Sequence, residues 1–118
     1  MIRRFVILLH TGHGADHMDL MIEQPRALAT WQIEGPPPAG PLTTPLAAKA
    51  LPDHRLAYLD YEGPVSAGRG QVQRIDSGPC EVLKCESGLW EVRFEGKVLS
   101  GLWRLCRQSE KDQWRLER

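Results

Sequence analysis

Apolar and polar residues alternate with period two along most of this chain, and the places where alternation fails are short and continuous. Residues 5–9, FVILL, form an unbroken apolar run of β-formers, and HMDLMIE at 17–23 alternates with period two, which predicts two strands. In the second, His17, Asp19, Met21 and Glu23 fall on one face, with Met18, Leu20 and Ile22 on the other. ALATWQIE, residues 27–34, predicts a third strand after a turn at Pro25. From Gly35 to Pro45 the stretch GPPPAGPLTTP carries five prolines and two glycines, which sustain neither a ladder nor a helix interior, so an extended connection is expected. LAAKAL, residues 46–51, suits a helical turn or a short strand equally. RLAYLDYEG at 55–63 alternates again, and GQVQRID, CEVLKCE, LWEVRFEG, KVLSGLWRLCR and QWRLER follow, separated by Gly, Ser and Pro. These make eight or nine short strands with little helix. The fold class is therefore mainly β, a small closed or partly open β-barrel of about eight strands, since closing a sheet removes its edges.

The length of 118 residues provides for one core, so a single domain over residues 1–118 is expected. Apolar residues at 42% and charged residues at 25% are ordinary for a globular chain, and no segment approaches the ~18 apolar residues of a membrane span. The opening MIRRFVILLH has arginines before an apolar run too short for a signal-peptide core, which favours a first strand. Lys plus Arg and Asp plus Glu both number 15, so no global field draws the protein to nucleic acid, and any such contact is local. Cys80, Cys85 and Cys106 include no CxxC pair, which argues for reduced cysteines in a cytoplasmic protein rather than a disulfide framework or a structural zinc site.

Candidate chemistry concentrates in LLHTGHGADHMDLMIE, residues 8–23. If residues 5–10 and 17–23 pair as a hairpin, His10 and His17 stand opposite each other, with Asp19 about 7 Å further along the same face. Two imidazoles and a carboxylate suit manganese, iron(II) or zinc and leave positions open for water or substrate. The competing reading is a polar hairpin loop, which is all that His13 and Asp16 need represent. A second cluster, LPDHRLAYLDYEGPV at 51–65, gives His54 and Tyr58 the same strand parity. His54 could move a proton near neutral pH and Tyr58 could orient a phosphate oxygen, or both could simply be packed. The four tryptophans, Trp31, Trp90, Trp103 and Trp114, fall at barrel-like intervals, which favours packing over base stacking.

The order of HMDLMIE, a strand with tryptophan, a Pro/Gly connection, DHRLAYLDYEG, GRGQVQRIDSG and FEGKVLSGLWRLCR resembles the 3′-phosphoesterase domain of bacterial DNA ligase D, from about Phe5 to Leu116. The resemblance implies a small β-barrel, here as a stand-alone homologue, in which a divalent metal, typically Mn, acts on nucleic-acid 3′ ends to remove a 3′-phosphate or terminal ribonucleotide. It implies His10, His17 and Asp19 as metal ligands, His54 on the reacting phosphate and Tyr58 beside it. A DNA repair ligase or polymerase would be the partner, and the protein would be a cytoplasmic monomer away from membranes.

This chain departs from the family pattern at three cationic positions. Met21 stands where an arginine is usual, WQIEGPP replaces a W-x-x-P-K-G-P motif, and Leu46 occupies a further arginine position. Lys49, Arg55, Arg69, or the N-terminal Arg3 and Arg4, are the residues available to bind phosphate in their place. The loop between His10 and His17 is one residue longer than usual, which makes His13 a competing ligand. Two other readings remain at this stage: a non-catalytic homologue that binds DNA ends or a repair partner, and an iron(II) oxygenase with His17, Asp19 and His54 as a facial triad.

Overall fold

The computed structural model describes residues 2–34, 37–110 and 112–118. Among them nine strands run antiparallel: β1 Ile2–Thr11, β2 His17–Glu23, β3 Leu28–Glu34, β4 Leu46–His54, β5 Gly63–Pro64, β6 Gln71–Glu86, β7 Leu89–Glu95, β8 Ser100–Arg107 and β9 Gln113–Glu117. The order β1-β2-β3-β4-β9-β8-β7-β6 closes through a β1–β6 pairing into an eight-stranded barrel, and β5 adds a short ninth strand beside β6. No helix among the described residues is long and apolar enough to cross a membrane.

Two apolar layers explain why the first strands are so hydrophobic. Inward-facing Phe5, Ile7, Leu20, Ile22 and Trp31 fill the barrel with Trp90, Trp103 and Trp114. Trp31 meets Trp90 and Trp114 edge-on, with ring centroids 5.2 and 5.6 Å away. All four tryptophans are buried, in keeping with the packing role expected for them. Outward-facing Val6, Leu8, Met21 and Leu28 are buried too, in a second cluster with Leu59 and Val72. A strand covered on both faces loses its alternation and reads as a continuous apolar run, which accounts for FVILL.

The cover over that outer cluster corrects one expectation. RLAYLDYEG is not a strand: after β4 ends at His54 the chain makes a single turn of 3₁₀ helix, Leu56–Leu59. This segment lies on the barrel's outside with no strand to pair with, and the three-residue turn delivers Leu59 to Val6, Leu8, Met21 and Leu28. Arg4 holds the segment's end, its Nη2 2.6 Å from Asp60 Oδ1.

A second correction concerns GQVQRID and CEVLKCE, which form one sixteen-residue strand rather than two. Ser77–Gly78–Pro79 stays paired with β1, and β7 joins β6 only from Cys80 onward, so the strand runs on through these residues unbroken. A Cβ on Gly78 would sit 2.5 Å from the Glu95 carbonyl oxygen, so glycine here marks close backbone approach and not a turn. LAAKAL resolves as strand, and QWRLE closes the ring against it. Of the proline-rich connection, Gly35 and Pro36 lie outside the described residues; 37–45 has no regular structure, and Leu42 N–H donates to Val98 C=O at 2.8 Å. Cys80, Cys85 and Cys106 are all free thiols.

Candidate metal centre and its groove

The β1–β2 hairpin places His10 directly opposite His17 and Leu8 opposite Asp19. Cross-strand partners share a face, and alternation then puts Leu8, His10, His17, Asp19 and Met21 together on the barrel's outside. One candidate ligand atom from each of His10, His17 and Asp19 lies within 4.8 Å of the other two. His17 Nε2 is 3.4 Å from Asp19 Oδ1, and His10 Nδ1 is 4.0 Å from Asp19 Oδ2. His13 is exposed in the loop, its ring 6.3 Å from that of His10 and nearly parallel to it, outside this group. His10 of β1, not His13, joins His17 and Asp19 in the candidate group.

Main-chain carbonyls set the tautomer of each neutral ring. A carbonyl oxygen only accepts, so the ring nitrogen facing it must carry the proton. His10 Nε2 faces the Arg69 carbonyl at 2.6 Å, and His17 Nδ1 faces that of Ala15 at 3.1 Å. Their other nitrogens, Nδ1 of His10 and Nε2 of His17, turn lone pairs toward Asp19. Such an outer hydrogen bond is the arrangement that orients a metal-ligating histidine. Asp19 Oδ1 is buried with no hydrogen-bond donor among the described residues. Acceptors converging on acceptors repel one another, and a cation between them removes that repulsion. The donor set thus fits a divalent metal with open positions.

Asp19 is 3% exposed. Burial pushes its carboxyl above the ordinary value, an effect that the imidazoles of His17, His54 and His10 offset in part when they carry a proton on both nitrogens. His54 therefore belongs to the same electrostatic unit, although it arrives from β4. His54 Nδ1 faces the Pro52 carbonyl at 2.9 Å, which leaves its Nε2 free.

A groove of about 290 Å³ opens beside these residues, lined by His10, Asp19 and Met21 and also by His54, Arg55, Tyr58 and Arg69. The shared strand parity expected for His54 and Tyr58 does not exist, because Tyr58 lies in the 3₁₀ turn. That turn nevertheless brings them together, ring centroids 6.0 Å apart. Met21 is 1% exposed and packs in the outer apolar cluster, so the groove floor at the family's arginine position is apolar.

The cationic candidates divide by position. Arg55 and Arg69 line the groove, although the Arg69 guanidinium is bonded to Ser66, Nε to its carbonyl at 2.9 Å and Nη2 to its Oγ at 3.2 Å. Lys49 does not line it. Lys49 lies two strands from Asp19 across Gln32, on a separate hollow of about 770 Å³ shared with Gln113 and Arg115. Arg3 and Arg4 sit at the far end of β1, about 20 Å of strand from His10, where Arg4 pairs with Asp60 and Arg3 Nη1 donates to Gln24 Oε1 at 2.7 Å. Leu46 packs against the barrel interior. Sequence reasoning missed the carbonyls of Ala15, Pro52 and Arg69; the only signal for the last was the Gly68-Arg69-Gly70 pattern.

The family model of the DNA ligase D 3′-phosphoesterase domain matches residues 10–107, from the first candidate ligand to the end of β8. No curated protein matches the chain. The chain belongs to the DNA ligase D 3′-phosphoesterase domain family.

Proposed function

We propose that this family member is a divalent-metal-dependent phosphoesterase, with Mn as the preferred ion, that removes a 3′-phosphate or a terminal ribonucleotide from nucleic-acid ends. The observation that carries the reading is the convergence of His10 Nδ1, His17 Nε2 and the Asp19 carboxylate, whose Oδ1 has no donor among the described residues, at the mouth of a groove that also presents His54. A bound metal there would supply Lewis-acid polarisation of a phosphate oxygen and an activated water.

The chain's own groups supply the rest. His54, its Nδ1–H held by the Pro52 carbonyl, presents Nε2 to the groove, where it contacts the reacting phosphate and, as the imidazolium, can pass its Nε2 proton to the leaving oxygen and return to the neutral Nδ1–H form. Tyr58 packs edge-on against that ring and limits its rotation. Arg55 and Arg69 are the phosphate-binding cations, Arg69 after release from Ser66. With Met21 in the arginine position, the groove lacks a contact of the kind that contributes about 1.5–3 kcal/mol, so substrate binding is weaker than metal binding would suggest. Because Lys and Arg only balance Asp and Glu, contact with the nucleic-acid end is local.

The test is manganese-dependent phosphate release from a 3′-phosphorylated oligonucleotide. Release that needs the metal and disappears in His17→Ala and His54→Ala supports the reading. Metal bound at His10, His17 and Asp19 with no release under any divalent ion would overturn it in favour of a non-catalytic end-binding domain.

A further inference from the structure

The turn that joins β5 to β6 reaches the site through its main chain. It is closed by Val65 N–H donating to Gly70 C=O at 2.8 Å and by the Arg69 guanidinium folded onto Ser66. Its backbone is left-handed at Ala67, Gly68 and Gly70, with φ of 62°, 65° and 79°. For Ala67 that conformation carries a steric penalty, and strain of this kind collects where a fold must hold a group in place.

The two glycines differ in what surrounds them. A Cβ on Gly68 would meet nothing within 4 Å, whereas one on Gly70 would lie 2.0 Å from the Thr11 carbonyl oxygen and 2.9 Å from the Gly12 carbonyl carbon. Gly70 thus lets the turn press against the end of β1, one residue beyond His10. That approach brings the Arg69 carbonyl within 2.6 Å of His10 Nε2.

We propose that the Ser66–Gly70 turn is a positioning device for His10: the bare backbone at Gly70 seats the Arg69 carbonyl on Nε2–H and so fixes Nδ1 as the lone-pair nitrogen facing Asp19. Arg69 acts here through its carbonyl, which no side-chain substitution at that position removes. The inference rests on the reading of His10 as a metal ligand, and outer-sphere partners of this kind are typically worth about 10–100-fold in metal affinity.

Gly70→Ala and Gly68→Ala separate collision from backbone strain, because both add a Cβ at positive φ and only the first meets the β1 backbone. In the metal-free protein, nitrogen-15 spectra of the imidazoles should show His10 protonated at Nε2 with a solvent-protected proton, in the wild type and in Gly68→Ala. Gly70→Ala should lose that protection and bind Mn²⁺ about 10–100-fold more weakly than Gly68→Ala by calorimetry. A folded Gly70→Ala that keeps both the protected proton and the affinity would overturn the proposal. So would a wild-type His10 protonated at Nδ1, a measurement that decides the matter even if Gly70→Ala does not fold. Failure of the wild type to bind any divalent ion would refute the metal reading instead, and the ring's protonation in the metal-free protein would still decide the positioning.

Discussion

Asp19 and Asp76 are both buried carboxylates on strands of the same barrel, 3% and 6% exposed, yet the protein treats them in opposite ways. Asp76 accepts four main-chain N–H bonds. Its Oδ1 receives those of Ser77 and Lys97 at 3.0 and 2.9 Å, and its Oδ2 those of Val98 and Leu99 at 3.0 and 2.8 Å. Gly96 makes room for it, since a Cβ there would lie 2.3 Å from Asp76 Oδ2. Asp19 has an oxygen with no donor and two imidazole lone pairs turned toward it. A carboxylate satisfied by backbone donors is a structural clamp, and one surrounded by other acceptors awaits a cation. Through Lys97, Val98 and Leu99, GKVLSG holds the β7–β8 turn onto Asp76.

Stability should separate the two most sharply. Asp76→Ala leaves four N–H groups without their acceptor and is expected to cost about 3–4 kcal/mol, read as a lower urea midpoint at unchanged slope. If the loss were under about 1 kcal/mol, the clamp would be an incidental contact.

Asp19→Asn should do the reverse. Metal affinity is expected to drop about 100-fold or more by calorimetry, roughly 2.7 kcal/mol, while the metal-free protein stays as stable as wild type or gains about 1 kcal/mol from removal of a buried charge. A metal-free Asp19→Asn protein that unfolded as readily as Asp76→Ala would erase the distinction.

The smallest effect is in pH. Protons compete with metal for a carboxylate whose proton affinity burial has raised, so metal affinity should decline as pH falls toward the range where Asp19 takes up its proton. For the metal-free fold the sign reverses. Native Asp19 takes up its proton at a higher pH than the unfolded chain does, so its contribution favours the fold as pH falls from that raised value toward the ordinary 3.8, and is lost as pH rises back through it. Subtracting the stability–pH profile of Asp19→Asn from that of wild type should isolate this difference, which a flat result would contradict.

Much of this was legible in the chain. Alternation in HMDLMIE placed His17, Asp19 and Met21 on one face, and hairpin pairing with the preceding run set His10 opposite His17. Barrel closure followed from the number and spacing of the strands. Period two misled at RLAYLDYEG, because a half-covered 3₁₀ turn and a half-covered strand expose similar mixtures of residues. It misled again at Ser77–Gly78–Pro79, where residues that usually end a strand lie inside β6, still paired with β1.

By itself, then, the sequence determined the fold class, through local period, and the family, through the order of motifs it shares with that family, and it offered His10, His17 and Asp19 as candidate ligands. Only the tertiary structure decided which cations reach the groove, which carboxylate is left without donors and which ring nitrogen keeps its lone pair. Each of those depends on main-chain groups brought from distant segments, Arg69 to His10 or Leu99 to Asp76, and a carbonyl or an N–H is the same at every non-proline position of a sequence until folding gives it a neighbour.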